Sequence, residues 1–107
     1  MPFQVLEVAI QLVSALKSVQ DKLTTRDPAL ADQLRRAASS VPLNIGEGAG
    51  RQGRDRTYHY TVAAGSAREL VAALRIAELL DTLGSSDTAE PLALADRVLA
   101  MLWRLTH

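Results

Sequence analysis

The sequence predicts an all-α fold: an antiparallel, up-down-up-down bundle of four helices in one domain, residues 1–107, with a proline-kinked second helix. Three observations carry this. Apolar residues recur at helical rather than alternating spacing along most of the chain. The apolar content comes from Ala, Leu and Val, with only four aromatic residues, a bias that favours helices over sheets. Glycines, prolines and short polar clusters divide the periodic segments, and short connections between amphipathic helices make antiparallel neighbours.

The first helix is predicted over 3–23. Leu6, Ile10, Val13 and Leu16 form one row, with Val5, Val8, Leu12, Val19 and Leu23 beside it, so its apolar arc is wide. Thr24, Thr25 and Arg26 interrupt the pattern, and Asp27-Pro28 then supplies an N-cap followed by proline at the first helical position. The second helix, 28–47, carries Leu30, Leu34, Ala37, Ala38, Val41 and Ile45 on one face, with Pro42 inside it. The proline ring removes a donor and clashes with the Ala38 carbonyl, which predicts a kink, with Ser39 and Ser40 at hand to satisfy the freed groups. Gly48 to Gly53 reads as its stop and connection.

The third helix, 54–83, places Val62, Leu70, Ala73, Leu74, Ala77 and Leu80 on one face and ends at Gly84-Ser85-Ser86. Asp87 and Glu90 then give a capping-box-like start, with Pro91 in the first turn of a fourth helix, 88–106. Leu92, Ala95, Leu99 and Leu102 form one of its rows, and Leu94, Val98, Met101 and Leu105 another. Helices one and four are thus apolar over more than a single core needs, and self-association is the economical way to cover them.

Twelve basic and twelve acidic residues balance, so bulk attraction to nucleic acid is not implied. The middle of the chain is locally basic. There Arg35, Arg36, Arg51, Arg54 and Arg56 outnumber Glu47 and Asp55. The absence of cysteine excludes disulfides, thiolate catalysis and Cys-ligated metals, and fits a reducing, cytoplasmic compartment. No stretch reaches the roughly 20 apolar residues a membrane span needs, and no signal-peptide pattern opens the chain.

Chemistry is sparse. No nucleophile elbow, phosphate loop or dinucleotide fingerprint occurs, and the only carboxylate at matching spacing to a histidine, Asp55 before His59, reads as a salt bridge rather than a metal site. No catalytic, cofactor or metal site and no small-molecule substrate is predicted, and the chain reads as a non-enzyme. Ser66 and Glu69 fall inside the apolar face of the third helix. A buried carboxylate needs a partner, for which Arg35, Arg36 or the Asn44 amide are candidates, and the pair reads as a polar pin rather than a catalytic acid. Away from its core, the second helix carries Arg36, Ser40, Leu43, Asn44 and Glu47, which fits either a solvated face or a surface for another subunit or ligand. Arg54, Arg68 and Arg75, with Thr61 between them, recur every seven residues on the outer side of the third helix. That line serves solubility or grips a phosphate backbone, and Arg51, Arg56, Tyr58, His59 and Tyr60 nearby suit stacking on unpaired bases.

The run Leu34-Arg35-Arg36-Ala37-Ala38-Ser39-Ser40-Val41-Pro42-Leu43-Asn44-Ile45-Gly46-Glu47-Gly48 resembles the hallmark segment of the 23S rRNA-intervening sequence proteins, also called four helix bundle proteins. Gly65-Ser66 with Glu69-Leu70 resembles the family's second motif, in the same order and spacing. The resemblance implies a bacterial cytosolic bundle that assembles into a homopentameric ring, and a shape similar to the accessory variability proteins of diversity-generating retroelements, which bind nucleic acid and a reverse transcriptase. Leu43 and Gly46 depart from the alanine common in the family, and the neutral charge departs from its basic character. The expected function is a homo-oligomeric scaffold or nucleic-acid-binding module, with RNA or a nucleic-acid-processing protein as partner. The alternative is a protein-interaction module that uses the apolar faces of helices one and four.

Overall fold

The computed structural model describes residues 2–107, in five helices: α1 Pro2–Ala15, α2 Lys17–Arg26, α3 Pro28–Ala49, α4 Gly53–Leu79 and α5 Ser85–Thr106. The molecule is a rod measuring 42 × 21 × 19 Å. Facing residues fix the directions. Ser40 meets Ser66 and Asn44 meets His59, so α4 runs back along α3. Thr88 meets Glu78, so α5 runs back along α4. Gln4 lies beside Met101 and Leu105, so α1 runs against the C-terminal half of α5, while α2 packs on α3 and reaches the start of α5 through Lys22 and Asp87. Leu12, Leu23, Leu34, Ile45, Leu70, Leu74 and Leu102 are sealed along the axis of the rod.

The segment expected as one helix over 3–23 is two. At Leu16 the backbone amide is shared between the carbonyls of Leu12 (3.1 Å) and Val13 (3.2 Å), and the helix re-forms at Lys17. The break keeps both sides in phase: Val5, Val8, Leu12 and Leu16 are buried before it, Val19 and Leu23 after it. Thr24 and Thr25 do not end α2, because each hydroxyl donates to the carbonyl four residues back, a bond compatible with the helix. The end comes at Asp27, whose side chain accepts from the Leu30 amide and starts α3.

α3 outruns its expected end at 47 and takes in Gly46 and Gly48. Gly48 has a packing reason to be glycine: a Cβ there would lie 2.6 Å from Cε1 of Tyr60. Ser39 and Ser40 do not take the role expected beside Pro42. Ser39 Oγ donates to the Arg35 carbonyl and Ser40 faces Ser66.

α4 stops at Leu79, four residues before the expected end at Leu83. Asp81, at φ 59°, takes the left-handed position usually given to glycine. The Thr82 amide then reaches the Ala77 carbonyl (2.9 Å) and the Asp81 amide that of Glu78 (3.1 Å), closing a Schellman motif that folds Leu83 into the core. Ser85 and Ser86 are therefore helical. Gly84 is the N-cap of α5, and Asp87, expected as the cap itself, stands at the third position and accepts from the Gly84 amide (2.9 Å). Pro91 lies beyond the first turn, and it is buried.

Candidate functional site

The residues singled out by the sequence divide between two surfaces that share α4. The first is the α3/α4 seam. The hydroxyls of Ser40 and Ser66 lie 2.7 Å apart, and Asn44 Nδ2 donates to the Ser40 carbonyl (3.0 Å) and to Ser40 Oγ (3.1 Å). That turns Asn44 Oδ1 toward Nδ1 of His59 at 3.2 Å, so the imidazole donates from Nδ1. The ladder Ser66–Ser40–Asn44–His59 ties two helices through short polar side chains in a partly buried strip, where unmade bonds would be costly.

Around it the structure corrects three expectations. Glu69 is exposed, outside the core, on a shallow groove with Asp27, Leu30, Gln33, Ala73 and Ile76, and Ser66 alone is buried. The helical turn at Glu69 is rotated past the seam toward solvent, so Arg35, Arg36 and Asn44 are not its partners. His59 pairs with Asn44 and not with Asp55, which is taken by Arg51 (2.8 Å). Tyr60 cannot stack on a base: it is 1% exposed, fills the space left by Gly48, and its hydroxyl has no hydrogen-bond partner among the described residues.

Arginines in the first half of the set are held by the protein. Arg35 and Arg36 both bind Asp32 (3.0 and 2.7 Å), and these guanidinium groups hold the Asp32 carboxyl below the usual range. Arg51 lies between Asp55 and Glu47, which raise its already high pKa. Arg56 Nε donates to the Arg51 carbonyl (2.8 Å). Pro42 and Glu47 border this surface, Pro42 partly buried and Glu47 exposed.

The second surface is the outward side of α4 and α5. Arg75 binds Glu78 (3.1 Å), whose carboxyl is lowered by the Thr88 hydroxyl and then by Arg75. Arg54 and Arg68, on the same line, are exposed and make no ion pair among the described residues. Arg68 edges a groove of about 330 Å³ with Thr61, Ala64, Leu99, Ala100 and Trp103. Trp103 is 58% exposed and stacks on His107, ring centroids 4.5 Å apart and planes 9° from parallel. Sequence reasoning missed this pair. Trp103 falls just outside the Leu92–Leu102 row of α5, at the rim of its apolar arc, where the pattern does not single it out. Arg97 and Arg104, which Asp81, Asp87, Glu90 and Asp96 outnumber in this part of the sequence, are exposed too, but Arg104 lies beside Gln4 on the α1 side of α5.

Neither surface holds a cluster of three or more His, Cys, Asp or Glu side chains able to grip a metal among the described residues, and no described helix is long and apolar enough to cross a membrane. No curated protein matches the chain. A solved structure, a protein of unknown function from the S23 ribosomal protein family of Bacteroides thetaiotaomicron, is similar in fold: 15% identity, TM-score 0.87, covering 95% of this chain and 97% of that one. The family model described as 23S rRNA-intervening sequence protein matches residues 2–104, which include the α3 run and the Ser66–Leu70 motif, and the chain belongs to that family.

Proposed function

We propose that the protein is a non-enzymatic, homo-oligomeric scaffold of the bacterial cytoplasm that binds nucleic acid through the outward arginines of α4. In this reading α1 and α2 act as one bent rod, making an up-down-up-down four-helix bundle whose α3 bends at Pro42, and five copies close into a ring. The observation that carries nucleic-acid binding is the state of Arg54 and Arg68: exposed, seven-residue register, and without a carboxylate of their own among the described residues. A ring multiplies that line around its circumference. The descriptions of the family and of its Bacteroides relative name ribosomal RNA and a ribosomal protein, which makes ribosomal RNA the first nucleic acid to test.

Self-association is supported by the outer row of α1, where Phe3, Ile10 and Val13 remain exposed. It is also supported by Gly46 and Gly65. Each sits in a helix interior, where glycine costs about 1 kcal/mol relative to alanine, and a Cβ at either would touch nothing within 4 Å in this chain. Close approach by another copy gives both a reason.

Ribosomal RNA fragments are expected to be retarded by the protein in native gels at low salt, with affinity falling steeply as salt rises and with Arg54→Glu, Arg68→Glu and Arg75→Glu combined. Unretarded RNA would sink nucleic-acid binding. Light scattering that returns a monomer at micromolar concentration would sink the ring. The protein-interaction reading, favoured by the same α1 row, predicts a partner that still co-purifies after nuclease treatment.

A further inference from the structure

We infer that the α4/α5 face is a stacking platform for an unpaired nucleic-acid strand, with Trp103 meeting a base and Arg54 and Arg68 meeting phosphates. The inference rests on the nucleic-acid reading above and names its strand class. Six of the ten arginines are engaged by a carboxylate or a backbone carbonyl. The remaining four have no such contact among the described residues; of these Arg54 and Arg68 lie on the outward side of α4, whereas Arg104, with Arg97 one heptad before it, borders Gln4 on the α1 side of α5. Asp96 is the counter-charge on this side of α5, one turn before Ala100.

Trp103 supplies what a duplex cannot use. Its ring is already ordered, because His107 stacks on it and Nδ1 of His107 donates to the Trp103 carbonyl (3.0 Å), so a base arriving at the stack imposes little further ordering. Paired bases hide their faces inside the helix, whereas an unpaired strand can lay a base on an aromatic ring, and every base has such a face. The groove beside the ring is lined by Ala64, Leu99, Ala100 and the methyl-bearing Thr61, which offer contact area and little hydrogen-bonding selectivity. The platform therefore favours single strands without reading their sequence. Two outward guanidinium groups complement a polyanion and repel the same face of a second copy.

Trp103 is the only tryptophan in the chain, so its fluorescence reports the site directly. Titration of the intact protein with a short oligouridylate at low salt is expected to quench its emission saturably, with a much weaker response to blunt RNA duplex of equal length. By anisotropy of a labelled oligouridylate, Trp103→Leu should weaken binding roughly ten-fold and Trp103→Phe should recover most of it, with helix content and assembly unchanged. Arg54→Glu with Arg68→Glu should flatten a log–log salt slope of about −1.4, the value for two phosphate contacts on a single strand. Oligouridylate that binds while Trp103 emission and the Trp103→Leu affinity stay unchanged overturns this inference alone. No binding of any RNA at low salt overturns it together with the nucleic-acid reading. Emission that shifts with protein concentration and ignores oligouridylate assigns Trp103 to a contact between copies, and overturns the platform as well.

Discussion

The α3/α4 seam and the α4/α5 face use opposite sides of one helix and treat their polar groups in opposite ways. Along the seam Ser66, Ser40, Asn44 and His59 hand hydrogen bonds from one to the next, and Gly48 is cut to the shape of Tyr60. Across the outer face Arg54 and Arg68 are unengaged and the largest side chain in the protein stands open to solvent. The family's hallmark run lies on the seam, and so the resemblance reports architecture. The arginines that α4 leaves unpartnered, Arg54 and Arg68, lie outside that motif.

Substitutions should separate the two regions by what they damage. The largest loss of stability is expected from Gly48→Ala, whose methyl collides with the Tyr60 ring. Overpacking of this kind costs about 1–3 kcal/mol, read as a lower denaturant midpoint. Asn44→Ala removes the central rung and leaves His59 and Ser40 short of a partner, at about 1–2 kcal/mol. Tyr60→Phe runs the other way. It deletes a buried hydroxyl without a partner and should gain about 1 kcal/mol. Trp103→Leu and Arg68→Glu should change stability by less than about 0.5 kcal/mol, because both side chains are exposed. An equally large stability loss on the outer face would erase the distinction.

Acid probes the charged rim. Lys22 and the Gly84 amide hold the Asp87 carboxyl below its ordinary value, as Arg35 and Arg36 do for Asp32, and Thr88 and Arg75 for Glu78. A depressed folded-state value means the stabilisation is complete above the ordinary carboxylate range and is lost as pH falls through the lowered one. Stability should therefore decline below about pH 4, and Asp87→Asn should shallow that decline. A pH titration of the denaturant midpoint checks the slope.

Much of the helical core was legible in the sequence because burial follows helical period: Leu34, Val41 and Ile45 in α3, and Leu70, Leu74 and Ala77 in α4, are all sealed as their spacing requires, whereas Leu80, expected on the same face, lies past the end of α4 and is exposed. Element ends were less legible, because side chains can serve either outcome. Thr24 and Thr25 look like breakers yet bond back into α2, while Asp81 takes a left-handed position that composition assigns to Gly84. The candidate site was only half visible. Ser40 and Asn44, read as part of an outer polar stripe, instead meet Ser66 in a partly buried seam, the exposure of Glu69 depends on how α4 rotates against α3, and Arg51 is neutralised by Glu47 and Asp55, the acids that the arginines of its region outnumber.

The fit between Gly48 and Tyr60 also bears on inheritance. Two positions twelve residues apart share one volume, so neither can vary freely while the other stays fixed. A lineage that enlarges position 48 has to shrink position 60 in step, and Gly48→Ala should be rescued by Tyr60→Leu. Paired change at these two sites would mark the descent of this helical hairpin even where the surrounding residues have drifted beyond recognition.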